Sequence, residues 1–499
     1  MSLLGIDIGS SSCKAAVFST DGRTLAVATS AYAPVIGAPS TAEIDPAVFW
    51  QAVVGVVREA STRAVGDPVQ ALCIGVHGET FIPVDAGGNP IGTAIMNSDN
   101  RAVEEAAWWE RAFGRDRLYR ITGQPPHPMY PMAKLLWLQR HRPDLVEATA
   151  RFVGPAEYVL LRMGLPPLTD HSVASRWLAF DIRARRWSAD ILASVGITQD
   201  RLPETVPAGT LAGRLGPEAA RELGLPAGTA VAVGGHDQPC ASLGCGAVEP
   251  GIVSDSAGTY ECLTCASEAP CLGPVSLQAS LTSSCHVIPG RYATLAFFPS
   301  GIMVRWFIER LVAAESAKAI AAGIDPHAWF EARMPDGPTG LWVTPHLIGA
   351  GNPYWDPQAS AAVVGLTPSS DVFQLYRGIL EGIACEFALE ATTLEKATAP
   401  FSRVRIAGGG TGSALGLRLR AALSGKTMES LQNAEAVCLG AAILGGVAAG
   451  VYRDVHDGVA QAVRVVDELA PEPGLAAAYA DQLARYNLLY PSLAPLFKR

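Results

Sequence analysis

Several short segments of this sequence combine carboxylates, hydroxyls and glycines in patterns that suit phosphate chemistry. In Asp7-Ile8-Gly9-Ser10-Ser11-Ser12 a carboxylate ends an apolar run beside a Gly/Ser turn. Such a carboxylate can hold magnesium, and the backbone N–H groups of the turn can hold phosphate. The same residues also fit an ordinary hairpin with a capping Asp. Gly258-Thr259 offers a second close-approach glycine next to a hydroxyl donor. Gly408-Gly409-Gly410 sits between a predicted strand and a predicted helix, where a ligand can approach the backbone and a helix N-terminus favours negative charge. Gly425-Lys426-Thr427 ends like a P-loop, but Arg420 stands where the upstream glycine is required, and no G-x-G-x-x-G begins at Gly408 or Gly410. Gly234-Gly235-His236-Asp237-Gln238 closes a buried strand, and Asp237 there suits either a base for a hydroxyl nucleophile or a helix cap. His77-Gly78-Glu79 ends another strand, and Asp99-x-Arg101 follows in the next loop. These polar groups fit a ligand with several hydroxyls, or an exposed loop with a local ion pair.

The elements that must carry these groups read as follows. Leu3–Ile8 and Cys13–Phe18 form a hairpin, Asp21-Gly22 marks a further turn, and Gln70–Val76 and Val231–Gly234 are buried strands. Pro46–Ala64, Ala102–Phe113 and Met132–His141 have helical periodicity. Gly251–Ser256, the turn Ala257-Gly258-Thr259 and Tyr260–Thr264 repeat the plan of the first thirty residues about 250 residues later, so two related domains are expected. Asp371–Thr393 reads as a helix with its apolar face at Val372, Leu375, Ile379 and Ile383. Val404–Ala407 is a strand, Ser413–Leu423 a helix, and Ala434–Ala449 an Ala/Gly-rich helix suited to close packing.

The 499 residues exceed what one core serves, and 49% apolar against 17% charged residues describes a globular chain of two or three domains. A net charge of −9 without a basic run argues against a nucleic-acid partner. Asp7 interrupts the first apolar run and no later run approaches a membrane span, so neither a signal peptide nor a membrane partner is expected, and a cytoplasmic location follows. Cys262 and Cys265 have the spacing of a zinc or redox motif, but the other cysteines are irregularly spaced, and buried thiols are expected.

In order along the chain these segments resemble the FGGY family of carbohydrate kinases. Gly5–Lys14 resembles its first phosphate motif, Gly234–Gln238 its catalytic-Asp motif, and Ser256–Thr259 its second phosphate motif. Pro353–Pro357, Ala361–Glu381, Gly408–Gly410, and Glu435 with Leu439–Ala442 are similar to the family's later segments. The resemblance implies an α/β fold of two actin-like, ribonuclease-H-like domains around a cleft, 1–245 on the sugar side and 246–499 on the ATP side. It implies ATP and Mg2+, a small sugar or polyol as acceptor, and Asp237 as the base. Asp7 would hold magnesium through water, with Asp237 beside it. Gly9, Ser10, Ser11, Ser12, Lys14, Gly258 and Thr259 would serve the phosphates, and Gly408, Gly409 and Gly410 the adenosine. His77, Gly78, Glu79, Asp99, Arg101 and Gln238 join Asp237 as the implied acceptor set. A homodimer is compatible with this reading.

Thr122-Gly123 through Lys134–Trp137, and Thr169-Asp170-x-Ser172-x-x-Ser175, are similar to the xylulokinase branch, but that branch's Gln-Met-His is here His77-Gly78-Glu79. Glu79-Thr80 resembles the glycerol kinase branch, with Gly78 in place of its Arg and Met129 near its substrate Tyr. Ala422 falls where many members carry Asp. A pentulose such as xylulose is the leading acceptor, and glycerol, ribulose, a hexulose or a sugar acid are the alternatives. An inactive sugar-binding relative of the same fold would be expected to lose Asp7 or Asp237, and both are present.

Overall fold

The computed structural model describes residues 1–37, 40–64 and 66–497, so the expected second half, 246–499, is described to Phe497. Strands β1 (Ser2–Ile8), β2 (Ser12–Ser19) and β3 (Thr24–Ala31) form an antiparallel meander, and β1 pairs in parallel with β4 (Val69–Val76). The edge strand β5 (Leu211–Arg214) and β6 (Ala230–His236) complete the order β5-β6-β4-β1-β2-β3. The second half repeats this with β7 (Ile252–Ala257), β8 (Tyr260–Ser267), β9 (Thr282–Cys285), β10 (Tyr292–Pro299), β11 (Arg403–Ala407), β12 (Thr427–Leu431) and β13 (Val465–Leu469). Its order is β13-β12-β11-β7-β8-β10-β9. In both sheets the first strand pairs antiparallel with its hairpin partner and parallel with the next strand on its other side. The parallel run then closes on an antiparallel edge strand. These are the two related domains expected from the hairpin repeat, in the actin-like arrangement that the family resemblance implies.

In the first sheet the parallel strands β1, β4 and β6 are almost wholly buried, β6 along its whole length, because helices cover both sides of the sheet. Alternation along β1 sends Leu4, Ile6 and Ile8 to the core with helix α1 (Ala47–Arg63). It sends Leu3, Gly5 and Asp7 to the opposite face. Four further helices position the site: α2 (Pro131–His141), α3 (Asp237–Gly244), α4 (Gly301–Trp306) and α5 (Val372–Ala397). With them come α6 (Ala414–Ser424), α7 (Ala436–Ala448) and the closing helix α8 (Pro473–Phe497). Helix α7 lies in sequence between β12 and β13 of the second sheet but packs under the first, where Leu439, Ile443 and Leu444 join the core of β1, β4 and β6. It crosses α3 at contact distance: a Cβ on Gly440 would lie 1.9 Å from the Cys240 carbonyl oxygen, and one on Gly244 1.9 Å from that of Ala436.

Two expectations change. The helix expected over 102–113 is regular only over Val103–Trp109 and then widens into a π turn, Glu110–Gly114. The apolar stripe expected on α5 is incomplete, since Val372 is exposed on the first turn while Tyr376–Ala388 is buried all round. The reason is α8, which covers the side that periodicity assigns to solvent. Tyr479 and Tyr486 of α8 donate to Glu381 and Glu386 inside α5. Cys262 and Cys265 lie three residues apart on β8 and so face opposite sides, Cys262 toward Ala293 and Leu295, Cys265 into the main core. Both are free thiols, and among the described residues no group of three His, Cys, Asp or Glu side chains is arranged to hold a metal. Among them, too, no helix is long and apolar enough to cross a membrane.

Candidate active site

The carboxyl ends of β1, β4 and β6 lie side by side, with Asp7 opposite Gly75 and Gly75 opposite Gly235. This register brings Asp7 and Asp237 to one edge. Burial pushes the Asp7 carboxyl up to about 6, with Lys14 opposing and Glu435 adding to the rise. Asp237 is pushed up to about 8, by burial first and then by the charges of Asp7 and Glu79, against the Gln238 N–H and Arg176. Two carboxylates that repel across a dry edge cannot both ionise freely. Asp237 begins the first turn of α3, and the preceding His236 holds the cap position. Asp237 Oδ1 and Gln238 Oε1 are buried without a hydrogen-bond partner. His236 Nε2 lies 3.2 Å from Asp237 Oδ1 outside bonding geometry, and burial holds that imidazole neutral, so the two form no ion pair.

Beside this edge lies a buried polar cluster. Glu79, at a φ of 67°, accepts from Arg176 Nε. Arg176 Nη1 donates to Gln124 Oε1 at 2.8 Å, and Tyr130 Oη donates to the same oxygen at 3.0 Å. Lys134 on α2 is fully buried and donates to the carbonyls of Glu79 (3.1 Å) and Met96 (2.6 Å). Burial pushes its ammonium down to about 7. The expected acceptor set divides here. Gly78, Glu79, Asp237 and Gln238 adjoin the cluster. His77 has both ring nitrogens engaged, with Ile8 O at 2.9 Å and Thr80 Oγ1 at 2.7 Å. Asp99 is filled by the Ala42 N–H (2.7 Å) and by Arg101 Nε and Nη2 (2.9 and 2.7 Å), while Arg101 also pairs with Glu43 and lies 5.0 Å over the Trp137 ring. These three residues tie strand ends and loops together.

The nucleotide-side residues divide likewise. Gly258, Thr259, Gly409 and Gly410 line one cavity of about 460 Å³ in the second half, and Gly408, at a φ of 96°, ends β11 beneath them. The same cavity has walls not foreseen from the sequence: Arg305, whose Nη2 donates to Thr259 Oγ1 at 3.3 Å, and His327, Tyr376 and Arg420. Arg420 is held on the floor by a two-pronged pair with buried Glu261, 2.7 Å on each prong. Ala422 is buried on the same helix, α6. Gly9–Ser12 form the β1–β2 turn beside Asp7, closed by the Gly9 N–H to Ser12 O at 2.9 Å, and Ser10 and Ser11 are exposed. Lys14 is ion-paired with Glu435 at the start of α7, tying β2 to the second half.

Comparison with known proteins agrees with this geometry. Residues 2–244 match the N-terminal domain of the FGGY family of carbohydrate kinases and residues 253–449 its C-terminal domain. The chain is 27% identical to a gluconokinase of Bacillus licheniformis, covering 96% of this chain and 93% of that one. It is also 27% identical to the xylulose kinase of Escherichia coli strain K12, covering 99% of each. Its backbone superimposes on the crystal structure of a xylulose kinase from Rhodospirillum rubrum with a TM-score of 0.87 over all of both chains, at 26% identity. With both of its domains matched over most of the sequence, the chain belongs to the FGGY family of carbohydrate kinases.

Proposed function

We propose that the protein transfers the γ-phosphoryl group of ATP to a hydroxyl of a pentulose such as xylulose, with Asp237 as the base. The observation that carries this reading is the Asp7–Asp237 pair at the carboxyl edge of β1, β4 and β6, beside the buried polar cluster of Glu79 and Arg176. A base whose pKa lies near working pH can both receive a proton and be ionised when substrate arrives. Its Oδ1, buried without a partner, is free for the acceptor hydroxyl. Asp7 and Asp237 supply only oxygen donors, which fits a hard cation such as Mg2+ held by Asp7 through water. Bound there, magnesium neutralises charge on the phosphates. The Gly9–Ser12 turn, closed by its own Gly9 N–H, and the hydroxyl of Thr259 beside the close-approach Gly258 hold the phosphates, and Gly408–Gly410 line the adenosine. Closure of the two halves excludes water, which competes as acceptor. The halves divide near residue 245, and the reaction's need for ATP is consistent with a cytoplasmic protein.

A sugar acid is the second acceptor class, supported by the gluconokinase relative. Sugar-dependent ADP release across ketoses, polyols and aldonic acids tests the proposal. Turnover is expected with a ketose, and ATP hydrolysis indifferent to every acceptor refutes it.

A further inference from the structure

Residues 169–175 take no part in the site described so far, yet they are bonded both to the strand that carries Asp237 and to the second sheet. Asp170 caps the helical turn His171–Ser175, accepting from the N–H groups of Ser172 and Val173, both at 2.8 Å. Asp170 Oδ1 also accepts from the Ser172 hydroxyl at 2.9 Å. Ser172 is fully buried, and with its O–H committed to Asp170 its oxygen is left to act as an acceptor. It receives the His236 N–H at 2.9 Å. The bonds run in one direction, from His236 N–H to Ser172 to Asp170, so each polarises the next.

The end of β6 is where such a support matters. Its pairing with β4 is interrupted between Ala232 and Gly235. His236, at the cap position of α3, makes no side-chain cap bond. Gly235 lets the turn come close, since an added Cβ there would lie 2.9 Å from Ser172 Oγ. Asp237 follows directly, one residue from the bond that fixes the strand end. The second serine of the turn acts elsewhere. Ser175 Oγ accepts the Cys285 N–H at 3.2 Å, on the edge strand β9. That edge is tied to the first half twice more, by the Ser283 N–H to Gly123 O and by Tyr119 Oη to Leu281 O, both at 2.8 Å. Loss of the Ser175 bond therefore leaves β9 held, whereas loss of the Ser172 bond frees a strand end whose ladder is already broken.

We propose that Ser172, oriented by Asp170, is a positioning residue for Asp237, fixing where the base stands relative to the acceptor hydroxyl. The inference rests on the carbohydrate-kinase reading above, with Asp237 as the base. Phosphoryl transfer depends mainly on placement, and a misplacement of about 1 Å can cost about 10²-fold in rate. A hydroxyl that never meets the acceptor is then felt in turnover and not in binding.

The test compares full-length Ser172→Cys, Ser172→Ala and Ser175→Ala with the parent. It combines steady-state kinetics on the best acceptor among ketoses, polyols and aldonic acids, denaturant melts, and amide hydrogen exchange of the peptide 234–240. Ser172→Cys fills the site with a weak acceptor, which separates the hydrogen bond from the space the side chain occupies. Both Ser172 variants should lose about 10-fold or more in kcat, with both KM values within about threefold of the parent. Exchange of 234–240 should rise in both. Ser175→Ala also leaves a buried N–H unpaired and should lower the denaturation midpoint comparably, but it should keep kcat within about threefold and exchange of 234–240 at the parent level. Unchanged kcat in the Ser172 variants, a loss confined to KM, or equal kcat losses in the Ser172 and Ser175 variants overturns the assignment. Should Ser172→Ala fail to fold, Ser172→Cys decides by the same criteria. ATP hydrolysis indifferent to every acceptor overturns the kinase reading and the role of Ser172 with it, whereas phosphorylation with unchanged kcat overturns only the role of Ser172.

Discussion

Asp237→Asn should change activity and stability in opposite directions, and the pH dependence of the stability change tests why Asp237 sits where it does. The carboxyl is raised from an ordinary 3.8 to about 8 by burial, Asp7 and Glu79. At pH 7 about one molecule in ten then carries the ionised base, so kcat/KM for the acceptor should climb to a plateau above pH 8. The asparagine variant keeps shape and loses the base, and its turnover should fall by about 10²–10⁴-fold. The sign for stability follows from linkage. A carboxyl whose folded pKa exceeds its unfolded one destabilises the fold; the penalty begins above the unfolded value near 3.8 and is complete once pH passes about 8. The displacement corresponds to roughly 6 kcal/mol, an upper figure because 23% of the side chain remains open to solvent. With that discount, the variant's stability advantage should grow by about 2–4 kcal/mol between pH 5 and pH 9. Paired denaturant melts of parent and variant at those two pH values measure it, and the titrating groups that do not interact with Asp237 cancel in the difference. An advantage that stays flat, or shrinks as pH rises, refutes the reasoning that this carboxylate is held against burial and like charge.

The other predictions concern its neighbours. Asp7→Asn should raise the magnesium concentration for half-maximal activity about tenfold or more, and should move the activity limb of the residual turnover to lower pH, because Asp7 is one of the charges that lift Asp237. Arg305→Ala removes a guanidinium from the nucleotide cavity and should raise KM for ATP about tenfold while leaving the acceptor KM within about twofold, as loss of a charge-assisted hydrogen bond implies. Gly440→Val places atoms against the Cys240 carbonyl at the α3–α7 crossing, where no flexible side chain can yield, and denaturant melts should show about 3 kcal/mol or more of lost stability.

The sequence revealed those parts of the site that are local. A strand ending in a carboxylate or glycine, followed by a turn, is written in consecutive residues, and Asp7, Asp237, Gly258-Thr259 and Gly409-Gly410 all lie on such ends. It could not tell a strand-end carboxylate that joins the buried cluster beside Asp237 from one whose oxygens are filled by a loop. Glu79 and Asp99 look alike in one dimension, yet Asp99 is filled by Arg101 and the Ala42 N–H, a partner 57 residues away. The same blindness hid the partners of Glu79, since Arg176 lies 97 residues on and Lys134 55. Helix α5 shows the same limit in packing, for the helix that covers its outer side begins about a hundred residues later.

Gly78 shows how a local gap and a distant residue explain one another. Read alone, it is a glycine where the resembled branch carries arginine before Glu79, and the strand end has no cation of its own. In the fold, that glycine is the space through which the Arg176 stem reaches the same carboxylate. The ion pair is kept, but its guanidinium now hangs from the segment bonded through Ser172 to His236, beside the base. A cation anchored there cannot move relative to Asp237 without breaking the Asp170 cap. Anchored on the strand end with Glu79 instead, it would follow that loop. On the function proposed above, the exchange ties the acceptor-side cation to the base, and a side chain at 78 should disturb both at once: Gly78→Ala should raise the acceptor KM and lower kcat, with KM for ATP unchanged.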